Sequence, residues 1–314
     1  MKVLLHYNAG PDWRRDMEPL AQQGLEVACC DEADDETFYR LLPEIEVIWH
    51  SLRPIRGEDI VRAPKLRLIQ KIGVGVNTID LEAAKENGVA VCNMPGSNAQ
   101  AVAEMTLLLM LACLRRLPVI HEAARTGRGW ALDPALQDTM GEIKGRTVGL
   151  VGMGSIPRAL LPALKAMGAR VIYTAHGPKS DVEAEYRGLD DLLAEAEIVS
   201  LHVPLTAETE ELLNRDRLTA MRPGAILVNT ARGGLVDQAA LADVLKDGPL
   251  LGAGLDVFAV EPIPVDDPLL RLDNVVLSPH LAWLTKETLA RSLAVAVENC
   301  LRLKAARDLL NRVV

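Results

Sequence analysis

A chain of 314 residues with 49% hydrophobic and 25% charged residues is neither disordered nor fibrous, and it is long enough for two domains, each with its own core. Lys and Arg number 34 against 43 Asp and Glu, a net charge of -9 with no basic run, so duplex phosphate is repelled on average and no nucleic-acid partner is expected. Five cysteines, Cys29, Cys30, Cys92, Cys113 and Cys300, show neither a C-x-x-C pair nor a secreted disulfide pattern, which points to reduced thiols in the cytoplasm and to no metal site.

The opening MKVLLHY is apolar but broken at once by Asn8 and Gly10, too brief for a signal segment, and reads as a first strand. Short β-like runs then alternate with helical segments. Strands are expected at 3–7, 26–28, 47–49, 68–71 and 89–92, with helices from Asp12, from Asp34, near Glu58 and over 80–86. Five strands with helical crossovers imply a parallel sheet covered on both faces. Met94-Pro95-Gly96-Ser97 stops the pattern and marks a domain boundary.

Residues 98–117 hold good helix formers and no glycine, and Pro118 follows, so one long helix is expected. Its apolar stretch contains Glu104 and runs into Arg115 and Arg116, short of the ~20 residues that a membrane span needs. Aliphatic residues cover nearly all of it. Packing against another subunit satisfies that pattern, as does an intramolecular core; the first is preferred, which makes the chain a homodimer through this region.

From Thr147 the α/β alternation resumes. Strands are expected at 147–151, 170–174, 198–202, 225–229, 252–257 and 275–277, six in all, with helices at 156–167, 189–194, 216–221 and 238–246. The first strand runs into TVGLVGMGS and opens directly into a helix. Gly152 permits a tight turn, Gly154 leaves the main chain open to a pyrophosphate, and the N–H groups of the helix start face the anion. The last segment, 285–310, is helical by its apolar spacing and is expected to return to the first domain, leaving a cleft. The expected domains are therefore 1–97 plus 285–314, and 98–284.

Open parallel sheets bind ligands beyond the carboxyl ends of their strands. Three polar residues stand there: Arg232 in NTARGGLVD, Glu261 in VFAVEPIP and His280 in SPHLAW. Singly, each reads equally well as a surface or loop residue. Together, on the rim that carries Gly152 and Gly154, they read as a site. Leu52 and Arg53, in WHSLRPI at a strand end of the first domain, are candidates to face a substrate, against a simple exposed loop for Arg53.

KIGVGVNTIDLEAA, GMGSI, LHVPLTAET, NTARGGLVD, GLDVFAVEP and SPHLAW follow one another as in the D-2-hydroxyacid dehydrogenases, and the chain resembles that family over nearly its whole length. The resemblance implies an α/β fold of two doubly wound parallel sheets, a Rossmann NAD(P)-binding domain inserted in a flavodoxin-like substrate domain. It implies a reductase that turns small 2-oxo acids into D-2-hydroxy acids, with His280 as acid/base, Glu261 beside it, Arg232 on the substrate, and the N–H groups of Val74 and Gly75 on the substrate carboxylate. It also implies cofactor contacts from Gly152, Gly154, Ser155, Ile156, Thr174, Ala175, His176, Lys179, Val203, Pro204, Thr209, Thr230, Ala231, Asp256 and His280. Trp283 after His280 is similar to the glyoxylate and hydroxypyruvate reductases and is expected to line the substrate pocket or to pack the domain junction. Corepressors of the same fold keep similar motifs, which makes a nucleotide-sensing interaction protein the alternative.

Two departures stand out. Pro157 replaces the third glycine of the loop, in a first helical turn where a missing N–H costs little. Ala175 stands where NAD-preferring relatives carry an acidic residue for the ribose hydroxyls, and Thr174, His176 and Lys179 surround it, so NADP(H) is expected over NAD(H).

Overall fold

The computed structural model describes residues 1–314, which form two compact units, one of Met1–Asn98 with Leu284–Val314 and one of Ala99–Trp283. The first unit contains β1 (Lys2–His6), α1 (Pro11–Met17), β2 (Glu26–Cys30), α2 (Asp35–Leu41), β3 (Val47–His50), α3 (Gly57–Val61), β4 (Leu68–Lys71), α4 (Leu81–Glu86) and β5 (Ala90–Cys92). All neighbours run parallel in the order β2-β1-β3-β4-β5, the flavodoxin-like arrangement. Every residue of β3, β4 and β5 is buried, as a sheet covered on both faces requires. Asp34 and Asp80 cap α2 and α4 by accepting the Thr37 and Ala83 N–H groups at 2.9 and 3.0 Å.

The second unit opens with α5 (Ala99–Leu114) and α6 (Leu117–Arg125). The helix expected over 98–117 is α5, ending three residues early at Leu114, and a second helix, α6, follows where none was expected. Arg116 takes left-handed backbone (φ 50°), and Pro118 lies in the first turn of α6, where its missing N–H has no intrahelical acceptor to lose. Proline therefore starts a helix at this place instead of stopping one.

There follow β6 (Thr147–Val151), α7 (Ser155–Ala166), β7 (Arg170–Thr174), β8 (Glu185–Tyr186), α8 (Leu189–Glu195), β9 (Ile198–Leu201), α9 (Arg215–Ala220), β10 (Ile226–Asn229), α10 (Gln238–Lys246), β11 (Gly252–Leu255) and β12 (Val275–Leu277). Their parallel order is β12-β11-β10-β9-β6-β7-β8. This is the dinucleotide-binding order with one extra strand, and the order reverses between β6 and β9. The sheet has seven strands where six were expected. The addition is β8, two residues without an apolar run, on the edge beside β7; Arg170 bridges to it through both Glu185 oxygens at 2.9 and 2.8 Å. Helix α5 lies against β11 so closely that a Cβ on Gly254 would come 2.8 Å from Leu109 Cβ.

The chain closes with α11 (Lys286–Lys304), capped by Thr285 and ending six residues before the expected Leu310. The residues beyond it lie along β5. Val313 N–H donates to Val91 O at 2.7 Å and Asn93 N–H to Asn311 O at 3.2 Å, which covers the otherwise open edge of the first sheet.

Candidate active site

Glycine chemistry sets one end of the site. Gly152, directly after β6, has φ +101°, and a Cβ there would come 2.7 Å from His202 O, so no other residue fits the turn. Gly154 caps α7, and a Cβ added to it meets nothing within 4 Å, which leaves its backbone open to a ligand. Ser155 and Ile156 begin the helix and present first-turn N–H groups. Pro157 is buried at the third helical position, where an N–H is not needed, and the helix continues through Pro162. These residues fit a dinucleotide pyrophosphate.

The neighbouring rim is the loop after β7. Thr174 ends the strand, and Ala175, His176 and Lys179 follow it. Two tyrosines shape this loop: the Tyr173 hydroxyl accepts the Lys179 N–H at 2.6 Å, and the Tyr186 hydroxyl donates to Ala175 O at 3.4 Å. Its first carboxylate, Asp181, is engaged by Arg158 at 2.9 Å.

Arg232, Glu261 and His280 follow β10, β11 and β12, three adjacent strands, at their carboxyl ends. The Arg232 turn is pinned by buried Asn229, whose side chain accepts the Ala231 N–H at 3.0 Å and donates to Arg232 O at 2.8 Å. Arg232 itself donates to Ala231 O at 2.6 Å. Burial presses the guanidinium pKa down while the Glu261 charge pulls it back up.

Glu261 Oε1 accepts the Phe258 N–H at 3.0 Å, and Oε2 lies 2.7 Å from His280 Nδ1. Burial alone would raise its pKa, but the hydrogen bond and charge of His280 and the Phe258 N–H outweigh it and hold the carboxyl below its ordinary value. With Nδ1 turned to the carboxylate, Nε2 is the ring nitrogen left to meet a reactant.

His280 sits in left-handed backbone, φ 57°, a state uncommon outside glycine. Asp256 holds it there. The Asp256 carbonyl accepts the His280 N–H at 2.7 Å, and its carboxylate, 1% exposed, accepts the Leu281 and Ala282 N–H groups at 2.9 and 3.0 Å. Burial pushes the Asp256 carboxyl pKa up, and the bonds from Ser278, Ala282 and Leu281 draw it back. Trp283, 8% exposed, donates its indole N–H to His280 O at 3.1 Å and so backs the same turn.

Several of the expected contact residues therefore have internal partners. The Asp256 carboxylate is committed to the turn, and the Thr209 hydroxyl donates to Pro204 O at 2.7 Å within the loop that also holds Val203. The Thr230 hydroxyl lies 2.9 Å from that of Thr106 on α5. Ala231 and Thr230 stay at the rim through backbone alone. In the first unit, Leu52 donates its N–H to Glu32 at 2.7 Å after β3, and Val74 and Gly75 lie after β4, where neither N–H is used in a backbone hydrogen bond. Asn229 escaped the sequence reading, although a polar residue closing an apolar strand, as in ILVNT, is a usable signal for a buried structural role.

Known proteins resemble this chain over most of its length. Residues 107–282 match the family model described as D-isomer specific 2-hydroxyacid dehydrogenase, NAD binding domain. The chain is 42% identical over 256 residues to a glyoxylate reductase of Korarchaeum cryptofilum, covering 80% of this chain and 77% of that one. It is 37% identical over 292 residues to a hydroxypyruvate reductase of Thermotoga maritima, covering 91% and 94%. The solved TT0316 protein of Thermus thermophilus superposes with a TM-score of 0.91 at 40% identity, covering 100% of both chains. Glycine turn, rim constellation and relatives converge, and the chain belongs to the D-isomer specific 2-hydroxyacid dehydrogenase family, as an NAD(P)-dependent oxidoreductase.

Proposed function

We propose that the chain reduces small 2-oxo acids, of the size of glyoxylate or hydroxypyruvate, to D-2-hydroxy acids, with Arg232, Glu261 and His280 as the catalytic residues. The observation that carries this reading is the 2.7 Å contact between His280 Nδ1 and Glu261 Oε2, which orients the imidazole and leaves Nε2 for the substrate. The bound nicotinamide supplies the hydride. His280 Nε2 gives its proton to the carbonyl oxygen as negative charge grows there. Arg232 grips the acid with its fork of donors.

NADPH is the preferred cofactor in this reading, because Ala175 removes the repulsive carboxylate and Thr174, His176 and Lys179 supply donors for a 2′-phosphate. A homodimer through the second unit is supported by Trp130, fully exposed at 103%, and by Leu108 and Leu117, exposed at 51% and 44%. Five free cysteines fit a reducing, cytoplasmic setting.

Turnover of NADPH and NADH with glyoxylate, hydroxypyruvate, pyruvate and bulkier 2-oxo acids tests the proposal. Reduction of the small acids is the expected result, and absence of turnover across the panel overturns it. Sedimentation of wild type against Trp130→Ser tests the dimer.

A further inference from the structure

Glu261 lies in a segment, 256–267, that has no regular secondary structure, and nearby Val260 and Val265 are 61% and 94% exposed. A carboxylate that must stay on one imidazole nitrogen needs its loop held from outside. One side chain holds this loop at both ends. Gln238, the first residue of α10 after its cap Asp237, accepts the Ala259 N–H through Oε1 at 2.8 Å. Through Nε2 it donates to Asp267 Oδ2 at 2.6 Å. Ala259 and Asp267 bracket Glu261 in sequence.

A second contact fixes the same loop to the Arg232 turn. A Cβ on Gly233 would fall 1.8 Å from the Phe258 carbonyl carbon and 2.4 Å from Ala259 N, so the two main chains are pressed together where only glycine fits. Phe258 is the residue whose N–H reaches Glu261 Oε1. The arrangement makes the Gln238 amide, the Phe258–Ala259 backbone and the Glu261 carboxylate one connected network.

We propose that Gln238 is a positioning residue for the reaction: its amide ties the two ends of the Glu261 loop and thereby keeps the Glu261 carboxylate on His280. The inference rests on the proposed roles of Glu261 and His280. An amide is the required group because one end must accept from an N–H and the other must donate to a carboxylate. A glutamate at this position keeps the first bond but sets a like charge against Asp267; an alanine loses both.

The test is the pH dependence of kcat/KM for 2-oxo acid reduction in Gln238→Ala, with Glu261→Gln as reference and NADPH binding followed by fluorescence titration. Gln238→Ala is expected to lose roughly 3- to 10-fold in kcat/KM at neutral pH, the factor of one hydrogen bond. The falling limb of its profile shifts to lower pH, in the same direction as in Glu261→Gln, while NADPH affinity is unchanged. The double variant Gln238→Glu with Asp267→Asn exchanges donor and acceptor and is expected to return the limb towards its wild-type place. An unmoved limb in Gln238→Ala beside a shifted limb in Glu261→Gln overturns the inference, as does failure of the double variant to restore it. An unmoved limb in both removes the Glu261 reading itself, and the inference with it.

Discussion

His280 Nδ1 lies 2.7 Å from Glu261 Oε2, and the two residues come from the ends of neighbouring strands, β12 and β11. Contact between loops of adjacent strands is short, so little chain has to be ordered to make it. It also fixes which ring nitrogen remains for chemistry.

Replacing His280 by Ala removes the acid but no pyrophosphate donor. Reduction is expected to fall by ~10²- to 10⁴-fold, the usual contribution of general acid catalysis, with NADPH affinity unchanged. Steady-state kinetics beside a fluorescence titration check both halves; wild-type kcat would take His280 out of the chemistry.

Glu261→Gln puts a neutral amide in place of the carboxylate that lies 2.7 Å from His280 Nδ1. Reduction consumes a proton, so its rate declines as pH rises. Without the carboxylate the decline comes at lower pH. A pH profile of kcat/KM identical to wild type would place Glu261 outside the reaction.

Arg232→Lys substitutes a point charge for a planar fork and loses the bond to Ala231 O. We expect kcat/KM for the 2-oxo acid to drop by roughly 10-fold or more, at the order expected for a charge-assisted hydrogen bond. An unchanged value would move Arg232 off the substrate.

Cofactor choice is tested at the loop after β7. Because Tyr173 holds Lys179 through its main-chain N–H, Lys179→Ala leaves the loop in place while removing the ammonium. Its kcat/KM is expected to fall with NADPH and not with NADH. Ala175→Asp is expected to shift preference towards NADH. Equal effects on both cofactors would show that neither residue meets a 2′-phosphate.

Acid stability follows from buried imidazoles. Burial lowers the His6 pKa from 6.5 to about 4, the Arg53 charge adding to the effect, and lowers that of His202 from 6.5 to about 3. The unfolded chain therefore binds protons that the folded chain refuses, and stability declines as pH falls below 6.5, continuing until about 4 for His6 and about 3 for His202. The slope is up to roughly 1.4 kcal/mol per pH unit for each imidazole. Thermal unfolding between pH 7.5 and 5 is expected to show a falling Tm, with a smaller slope in His202→Asn. A flat Tm over that range would contradict it.

What the sequence determined by itself was the class of fold and the identity of the rim residues. Four- and five-residue apolar runs such as VIWH and TVGLV are long enough for fully buried parallel strands, and a polar residue just past such a run has only the carboxyl rim to occupy. Tertiary structure decided the rest, because the deciding neighbours are remote in sequence. Strand β8 exists only because β7 and Arg170 supply its partners, and Glu185–Tyr186 carries no periodic signal. Pro118 satisfies the rules for stopping a helix and for starting one, and the left-handed backbone at Arg116 selected the second. Asp256 and Trp283, read from the sequence as site residues, brace the His280 turn, since a left-handed backbone there takes up the nearby donors and acceptors. The adjacency of β10, β11 and β12, which brings Glu261 onto His280, is a property of strand order, and strand order is set by how the crossovers pack.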